Sequence, residues 1–245
     1  MAKPIKLLDN ANQIVTLLSE IGAANHALIA TEIGVPRSSV YRLVEGLAAI
    51  NLVRIDPTGV IRLSERWLHL AQAAQRSFPE WQHVLERLES IAERTGQTSF
   101  LSIPTLTGAA CIAWAPASSL VVLSLRPGRQ FPFNLGAAGR LLFAFAPAAD
   151  QAEYLANCEF TAQTSQSITT PEALLADAEA IREAGWVLSD EDVNTGLAAV
   201  GVAAYPRGGG SMGCVSISGL RDDIVDRAGE LAAILADEVT LADES

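Results

Sequence analysis

Apolar residues recur at helical spacing from the start of the chain. Leu7, Leu8, Ala11, Ile14, Val15, Leu18 and Ile21 fall three or four positions apart, which lays one stripe along a helix that Gly22 ends. A short second helix is predicted from His26 to Ile33, with Asn25 placed to cap its start and Gly34 to close its end. The chain then passes through Pro36 into a helix that Ser38 can cap, whose buried stripe is Val40, Leu43, Val44 and Leu47. Beyond it the period changes from helical to alternating. Leu52 to Ile55 and Val60 to Leu63 flank the turn Asp56-Pro57-Thr58-Gly59, which predicts a two-stranded hairpin. Ser64 is placed to cap a linker helix to about Arg76, and Ser77-Phe78-Pro79 breaks the chain before a helix that runs to Thr95.

From Gln97 the texture is one of short apolar strands: Thr98 to Pro104, Ala109 to Ala115 and Ser119 to Leu125, parted by Thr107-Gly108 and Pro116. Helices are predicted from Ala137 to Phe145, from Glu153, and from Pro171 to Ala184. Strands resume at Trp186 to Ser189, Leu197 to Tyr205 and Gly213 to Ser218, and a last helix runs from Asp222 to about Leu241. Hairpin-connected strands with helices at both ends define an α+β unit around an antiparallel sheet. The fold class is therefore mixed α/β in two domains: residues 1–63, a linker helix over 64–77, and a larger domain over 78–245. A chain of 245 residues exceeds the usual single-domain size and has apolar content enough for two cores.

Charge sharpens this division. The net charge of -11 argues against a nucleic-acid partner for the chain as a whole, but residues 1–76 hold eight Lys and Arg against six Asp and Glu, leaving -13 for the rest. Any contact with DNA is thus confined to one end. The opening Met1-Ala2-Lys3-Pro4 lacks a signal peptide's apolar core and no run approaches the length of a membrane span, so a cytoplasmic location without membrane association is expected. Cys111, Cys158 and Cys214 are odd in number and never paired as C-x-x-C, and are read as small buried hydrophobes. No cofactor and no metal are expected.

The order of helix, short helix, glycine turn, capped helix and hairpin is that of a winged helix-turn-helix, which sets the start of its second helix into the major groove of double-stranded DNA. The candidates for DNA contact are Arg37, Ser38, Ser39, Tyr41 and Arg42 on that helix, with Arg54 and Arg62 on the wing. Arginine donates to guanine, and serine or tyrosine can hold phosphates. A three-helix bundle with a merely solvated polar face is the plainer alternative for two arginines alone; the assembled order of elements weighs against it.

These segments resemble the isocitrate lyase regulator (IclR) family of bacterial transcription regulators. Gly34-Val35-Pro36-Arg37-Ser38-Ser39-Val40-Tyr41-Arg42-Leu43 is similar to the family's recognition segment, and Leu52-Val53-Arg54, Gly59 and Arg62-Leu63 to its wing. Pro132, Gly139-Arg140, Gly185-Trp186, Asp190-Glu191, Gly196 and Ser216-Ile217-Ser218-Gly219 fall at the spacing of its effector domain. The resemblance implies a GAF-like domain that binds a small-molecule effector, and homodimers or dimers of dimers on a partly palindromic operator. It places the effector among Phe131, Ala137, Ala138, Ser189, Ala199, Ser216 and Ser218. A helix N-terminus near Ala137 would offer unpaired amides to an anion, and serines two apart on a strand share a face. Where the family often has His and Thr this chain has Asn134 and Gly136, where it has Cys and Pro this chain has Ala199 and Ala203, and Arg140 replaces a Lys. Those changes imply a less polar pocket, suited to a larger or aromatic effector such as an aromatic carboxylate rather than a short keto acid; the regulator itself is expected to act as a repressor.

Two other classes stay in view. Gly209-Gly210-Ser211-Met212-Gly213 matches the G-x-S-x-G spacing of a hydrolase elbow, but all three histidines, His26, His69 and His83, precede it and the segment joins two strands. A glycine-rich hairpin turn is the simpler reading. The run Asp190, Glu191 and Asp192 offers carboxylates without His or Cys partners and is read as a solvated loop. A DNA-binding scaffold without ligand is the third class.

Overall fold

The computed structural model describes residues 5–116, 125–158 and 160–244, in two compact units that divide between Ser77 and Phe78.

The smaller unit comprises α1 (Lys6–Ile21), α2 (His26–Glu32), α3 (Arg37–Ala49), the hairpin β1 (Val53–Ile55) and β2 (Ile61–Leu63), and α4 (Arg66–Gln75). Ile14, Leu18, Ile29, Val40, Leu43, Val44, Leu47, Val53 and Ile61 form its buried core. The α1 stripe is narrower than its spacing predicts: Leu7 and Leu8 are 64% and 62% exposed, because the core covers only the middle of the helix. Asn25 caps α2 by accepting from the Leu28 amide at 2.9 Å, and Gly34 follows the helix at φ 65°, a left-handed conformation that suits glycine.

Neither predicted serine cap forms. Pro36, in extended geometry with φ fixed by its ring, stands at the N-cap of α3, so Ser38 lies within the first turn with its hydroxyl exposed. Ser64 turns back instead, donating to the Asn51 carbonyl, while Trp67 Nε1 donates to Leu52 O at 2.7 Å. These bonds tie the start of α4 to the turn after α3 and leave Glu65 at its N-cap.

The larger unit begins with a 3-10 turn, Pro79–Trp81, then α5 (Gln82–Leu85) and α6 (Leu88–Thr95) where one helix was expected. Trp81 closes the 3-10 turn. It turns inward and is buried against Gly213, where a Cβ would stand 2.6 Å from its ring. Next come β3 (Thr98–Pro104), β4 (Gly108–Ala115), β5 (Gln130–Pro132), α7 (Gly136–Phe145), α8 (Ala148–Asn157) and α9 (Pro171–Ala184). The chain closes with β6 (Trp186–Asp190), β7 (Leu197–Ala204), β8 (Gly213–Leu220), α10 (Arg221–Ile224) and α11 (Ala228–Glu244). The helix expected from Glu153 starts earlier, after Pro147, and the last helix is interrupted by a 3-10 turn at Val225–Arg227. The strand expected over 119–125 lies outside the described residues except for Leu125, which is in neither helix nor strand. The short edge strand β5 has no signal in the alternation, since three residues ending in proline are too few to show it.

Strands run in the order β5-β4-β3-β8-β7-β6 with every neighbouring pair antiparallel. Alternation along β7 and β8 sends Val200, Val202, Val215 and Ile217 to a core shared with α6 and α11. A second core, of Ala137, Leu141, Phe143, Leu174 and Ile181 among others, joins α7 and α9 to the sheet. Cys111 and Cys214 are buried and Cys158 is only partly so; burial pushes the Cys111 thiol up to about 12.

Glu238 on α11 is a buried carboxylate, held by Arg87 at 2.7 Å, Ser90 at 2.9 Å and Arg94 at 2.7 Å. Burial opposes its charge, but Arg94, Ser90 and Arg87 together outweigh that and keep its pKa below the usual glutamate value. A carboxyl depressed in the folded state contributes stability above its unfolded pKa, near pH 4, and loses it as pH falls through the lower folded value. Glu238→Gln is therefore expected to be less stable than the parent at neutral pH and to lose less on acidification below about pH 4.5. Urea melts across that range check both slopes, and parallel curves for the two proteins would refute the assignment.

Candidate DNA interface and effector cavity

On α3, Val40, Leu43, Val44 and Leu47 face the core, which leaves Arg37, Ser38, Tyr41, Arg42 and Glu45 exposed and Ser39 half-buried. The Tyr41 ring stacks on His26 of α2, with centroids 3.9 Å apart and planes 14° off parallel. That contact braces the exposed face against the preceding helix. The side chains of Arg37, Arg42 and Arg54 make no ion pair among the described residues.

Arg62 is different, in a way the spacing did not reveal. Its Nη1 lies 3.0 Å from Asp56 Oδ2 across the wing, and Asp56 also accepts from the Thr58 hydroxyl and the amides of Thr58 and Val60. Thr58, Val60 and Arg62 hold the Asp56 carboxyl well below the usual carboxylate range. The wing turn is thus built around an ionised aspartate that partly neutralises Arg62.

In the larger unit, Phe131, Ala137, Ala138, Ser189, Ala199, Ser216 and Ser218 all line one cavity. The cavity is open, and with the solvent space at its mouth included it spans about 540 Å³. Register explains the convergence. Ser189 of β6 pairs with Ala199 of β7, Ala199 with Ser218 of β8, and Ser216 with Phe100 of β3, so one face of four strands forms the floor. The start of α7 forms the wall. Gly139 is required there, since a Cβ would stand 2.5 Å from the Pro132 carbonyl oxygen.

Sequence reasoning missed Phe100, Leu135, Val193 and Asn194 in this lining, and misplaced Asp192. The acidic run is no solvated loop. Asp192 is 2% exposed: Oδ2 accepts from the Gly136 amide at 3.0 Å, Oδ1 accepts from the Ser189 hydroxyl, and Arg140 Nη1 lies 3.4 Å away. Arg140 in turn grips Asp177 of α9 with two nitrogens and donates to Leu188 O at 2.9 Å. Burial works against its charge, but Asp177 and Asp192 outweigh that and raise its pKa. Asp190 pairs with Arg221 at 2.7 and 2.9 Å, and Glu191 accepts from the Gly196 amide. The signal for Asp192 was the helix itself, because the first turn of α7 needs acceptors that its own chain cannot supply.

The hydroxyls of Ser189 and Ser218 already donate hydrogen bonds to protein, Ser189 to Asp192 and Ser218 to Ala198 O at 2.9 Å. Both therefore meet any occupant as acceptors. The remaining first-turn amides of α7, those of Ala137 and Ala138, belong to residues of the cavity wall.

The Gly209–Gly213 segment runs from the turn after β7 into the first residue of β8, with Gly208, Gly209 and Gly210 all at positive φ and Ser211 exposed. His83 is the one histidine of this unit, and its Nε2 faces Tyr205 O at 3.2 Å. The strand-turn-helix of a hydrolase elbow is not formed. No helix among the described residues is long and apolar enough to cross a membrane.

A winged helix-turn-helix unit joined to an α+β unit that carries an open, largely apolar cavity is the architecture of a DNA-binding transcriptional regulator with a separate effector domain. Comparison with known proteins agrees. The IclR helix-turn-helix domain profile matches residues 7–57 and that of the bacterial transcriptional regulator IclR C-terminal domain residues 81–240. The chain belongs to the IclR family of transcriptional regulators. A probable HTH-type transcriptional regulator, ArcR, of Halobacterium salinarum is 22% identical over 95% of this chain and 90% of its own. An IclR transcriptional regulator crystallised from Alicyclobacillus acidocaldarius superposes with a TM-score of 0.80 at 22% identity, covering 98% of this chain and 96% of that one. An IclR homologue from Microbacterium hydrocarbonoxydans, crystallised with 4-hydroxybenzoate, superposes at 0.74 and 18% identity over 98% of this chain and all of that one.

Proposed function

We propose that the chain is a repressor that binds a partly palindromic operator through α3 and the wing, and releases it when an aromatic carboxylate enters the cavity. Arg37, Ser38, Ser39, Tyr41, Arg42, Arg54 and Arg62 form the DNA surface. The observation that carries the effector reading is the cavity itself, whose wall is mainly apolar with a helix N-terminus at one side and serine acceptors on the floor. A ligand carboxylate finds donors at the Ala137 and Ala138 amides, where the α7 dipole favours negative charge. An aromatic ring fills the apolar space, and a ring hydroxyl or amine suits the acceptors Ser189 and Ser218. The 4-hydroxybenzoate bound by the Microbacterium homologue has this combination. A homodimer or dimer of dimers matches a two-fold operator, and exposed Leu7 and Leu8 of α1 offer apolar surface for self-association.

Calorimetric titration is expected to show 4-hydroxybenzoate binding more tightly than benzoate, and both more tightly than glyoxylate or pyruvate. Tight binding of a keto acid with no binding of either benzoate would overturn the aromatic reading. Gel shifts on the DNA upstream of the gene, with and without the ligand, test repression and release. Ala199→Phe, which projects a ring into the cavity, is expected to lower effector affinity at least about tenfold while leaving operator binding without effector unchanged. Retained affinity in that variant would place the effector elsewhere.

A further inference from the structure

The larger unit has nine arginines and no lysine among residues 78–245. Five of them pair with carboxylates, and Arg182 and Arg207 donate to main-chain carbonyls. Of these nine, Arg126 and Arg129 are the two whose side chains donate to no acceptor among the described residues. Both are exposed, and they stand between Leu125 and Phe131, two half-buried residues of the cavity wall. The Arg129 guanidinium lies over the Phe131 ring, 5.1 Å from its centroid, a cation–π contact that holds the charge beside the wall without neutralising it. No aspartate or glutamate occurs from residue 95 to residue 149, so the stretch that carries both arginines is free of acids within a unit of net charge -13.

From this we infer that Arg126 and Arg129 are the capture site for an anionic effector. They draw its negative charge to the edge of the cavity through an otherwise repelling surface field. The inference rests on the reading that the cavity takes an effector, and it concerns the ligand's charge rather than its ring. An acidic surface slows the approach of an anion, and two exposed cations that pair with no carboxylate among the described residues, flanked by the wall residues Leu125 and Phe131, focus the local field and raise the rate of entry. Internal ion pairing would have been the cheaper use of these arginines in a unit so rich in carboxylates. Arg129 is then a specificity residue at the threshold, and the α7 amides act after entry.

The test uses the full chain and its intrinsic fluorescence. Trp114 stacks on Phe100, a cavity residue, with ring centroids 6.5 Å apart, so it reports occupancy. Stopped-flow association of benzoate, 4-hydroxybenzoate, pyruvate and neutral benzamide is compared for the parent, the Arg126→Ala/Arg129→Ala double variant and Arg129→Lys. For whichever anion the parent binds, the double variant is expected to associate about three- to tenfold more slowly at low salt, with the gap closing towards about 0.3 M salt. Benzamide should be unaffected, and Arg129→Lys should keep most of the parent rate. Equal anion rates at low salt for the parent and the double variant overturn the inference. So does an equal loss for benzamide, which would mark a packing role for Arg129. A parent that takes up pyruvate but neither benzoate removes the aromatic reading alone, leaving the arginines judged on pyruvate. A parent that takes up no anion overturns both.

Discussion

Arg42→Ala is expected to weaken operator binding by about ten- to a hundredfold, or about 1–3 kcal/mol, while unfolding with an unchanged midpoint. Arg42 is exposed on α3, beside the Tyr41 that stacks on His26, and no carboxylate among the described residues competes for it. Its removal takes nothing from the core, which α3 supplies with Val40, Leu43, Val44 and Leu47. Fluorescence anisotropy on operator and scrambled duplexes separates the possible roles. A base-reading arginine loses affinity mainly for the operator, whereas a phosphate contact weakens both duplexes alike and lowers the salt dependence. Arg62→Ala should cost less, since Asp56 already offsets part of that charge. Full binding by the Arg42 variant would remove α3 as the reading helix.

Arg140→Ala is expected to destabilise the larger unit by about 3–5 kcal/mol, because it strands Asp177 and Asp192 in a protein interior without their cation. The loss goes beyond charge. Arg140 also donates to Leu188 O, so one side chain joins α7, α9 and β6 and fixes the Asp192 carboxylate against the start of α7. Arg140→Lys keeps the charge but cannot make the two-nitrogen grip on Asp177 together with the other bonds, and an intermediate loss is expected. Urea melts followed by tryptophan fluorescence measure both. A cost below about 1 kcal/mol for the alanine variant would show that water replaces the guanidinium and that the network does not hold the cavity wall.

Much of this arrangement could be seen along the chain where it depended on neighbours in sequence. The first three helices of the smaller unit, the wing and the helix Pro171–Ala184 announce themselves through period, proline and glycine. Serine was the less reliable marker. Ser38 and Ser64 stand where a cap is plausible, yet Pro36 preempts the first position and the Asn51 carbonyl attracts the second. The α1 stripe overreached for a similar reason, since spacing states which residues share a face and not how far a core extends along it.

The cavity was legible only through resemblance. Its residues come from β3, β5, β6, β7, β8, the loop after β6 and the start of α7, and no spacing along the chain puts Phe131 near Ser189. Asp192 shows the limit most clearly. In sequence it is the third of three acids, the pattern of a wet loop; in the fold its partners Gly136 and Arg140 lie 56 and 52 residues away and bury it. By itself, then, the sequence determined the order of elements and the charge contrast between the two units, because these follow from local periodicity and composition. Which carboxylates are buried, which arginines remain unpaired and where the apolar faces leave space were decided by the tertiary structure, since burial and charge pairing depend on groups that only folding brings together.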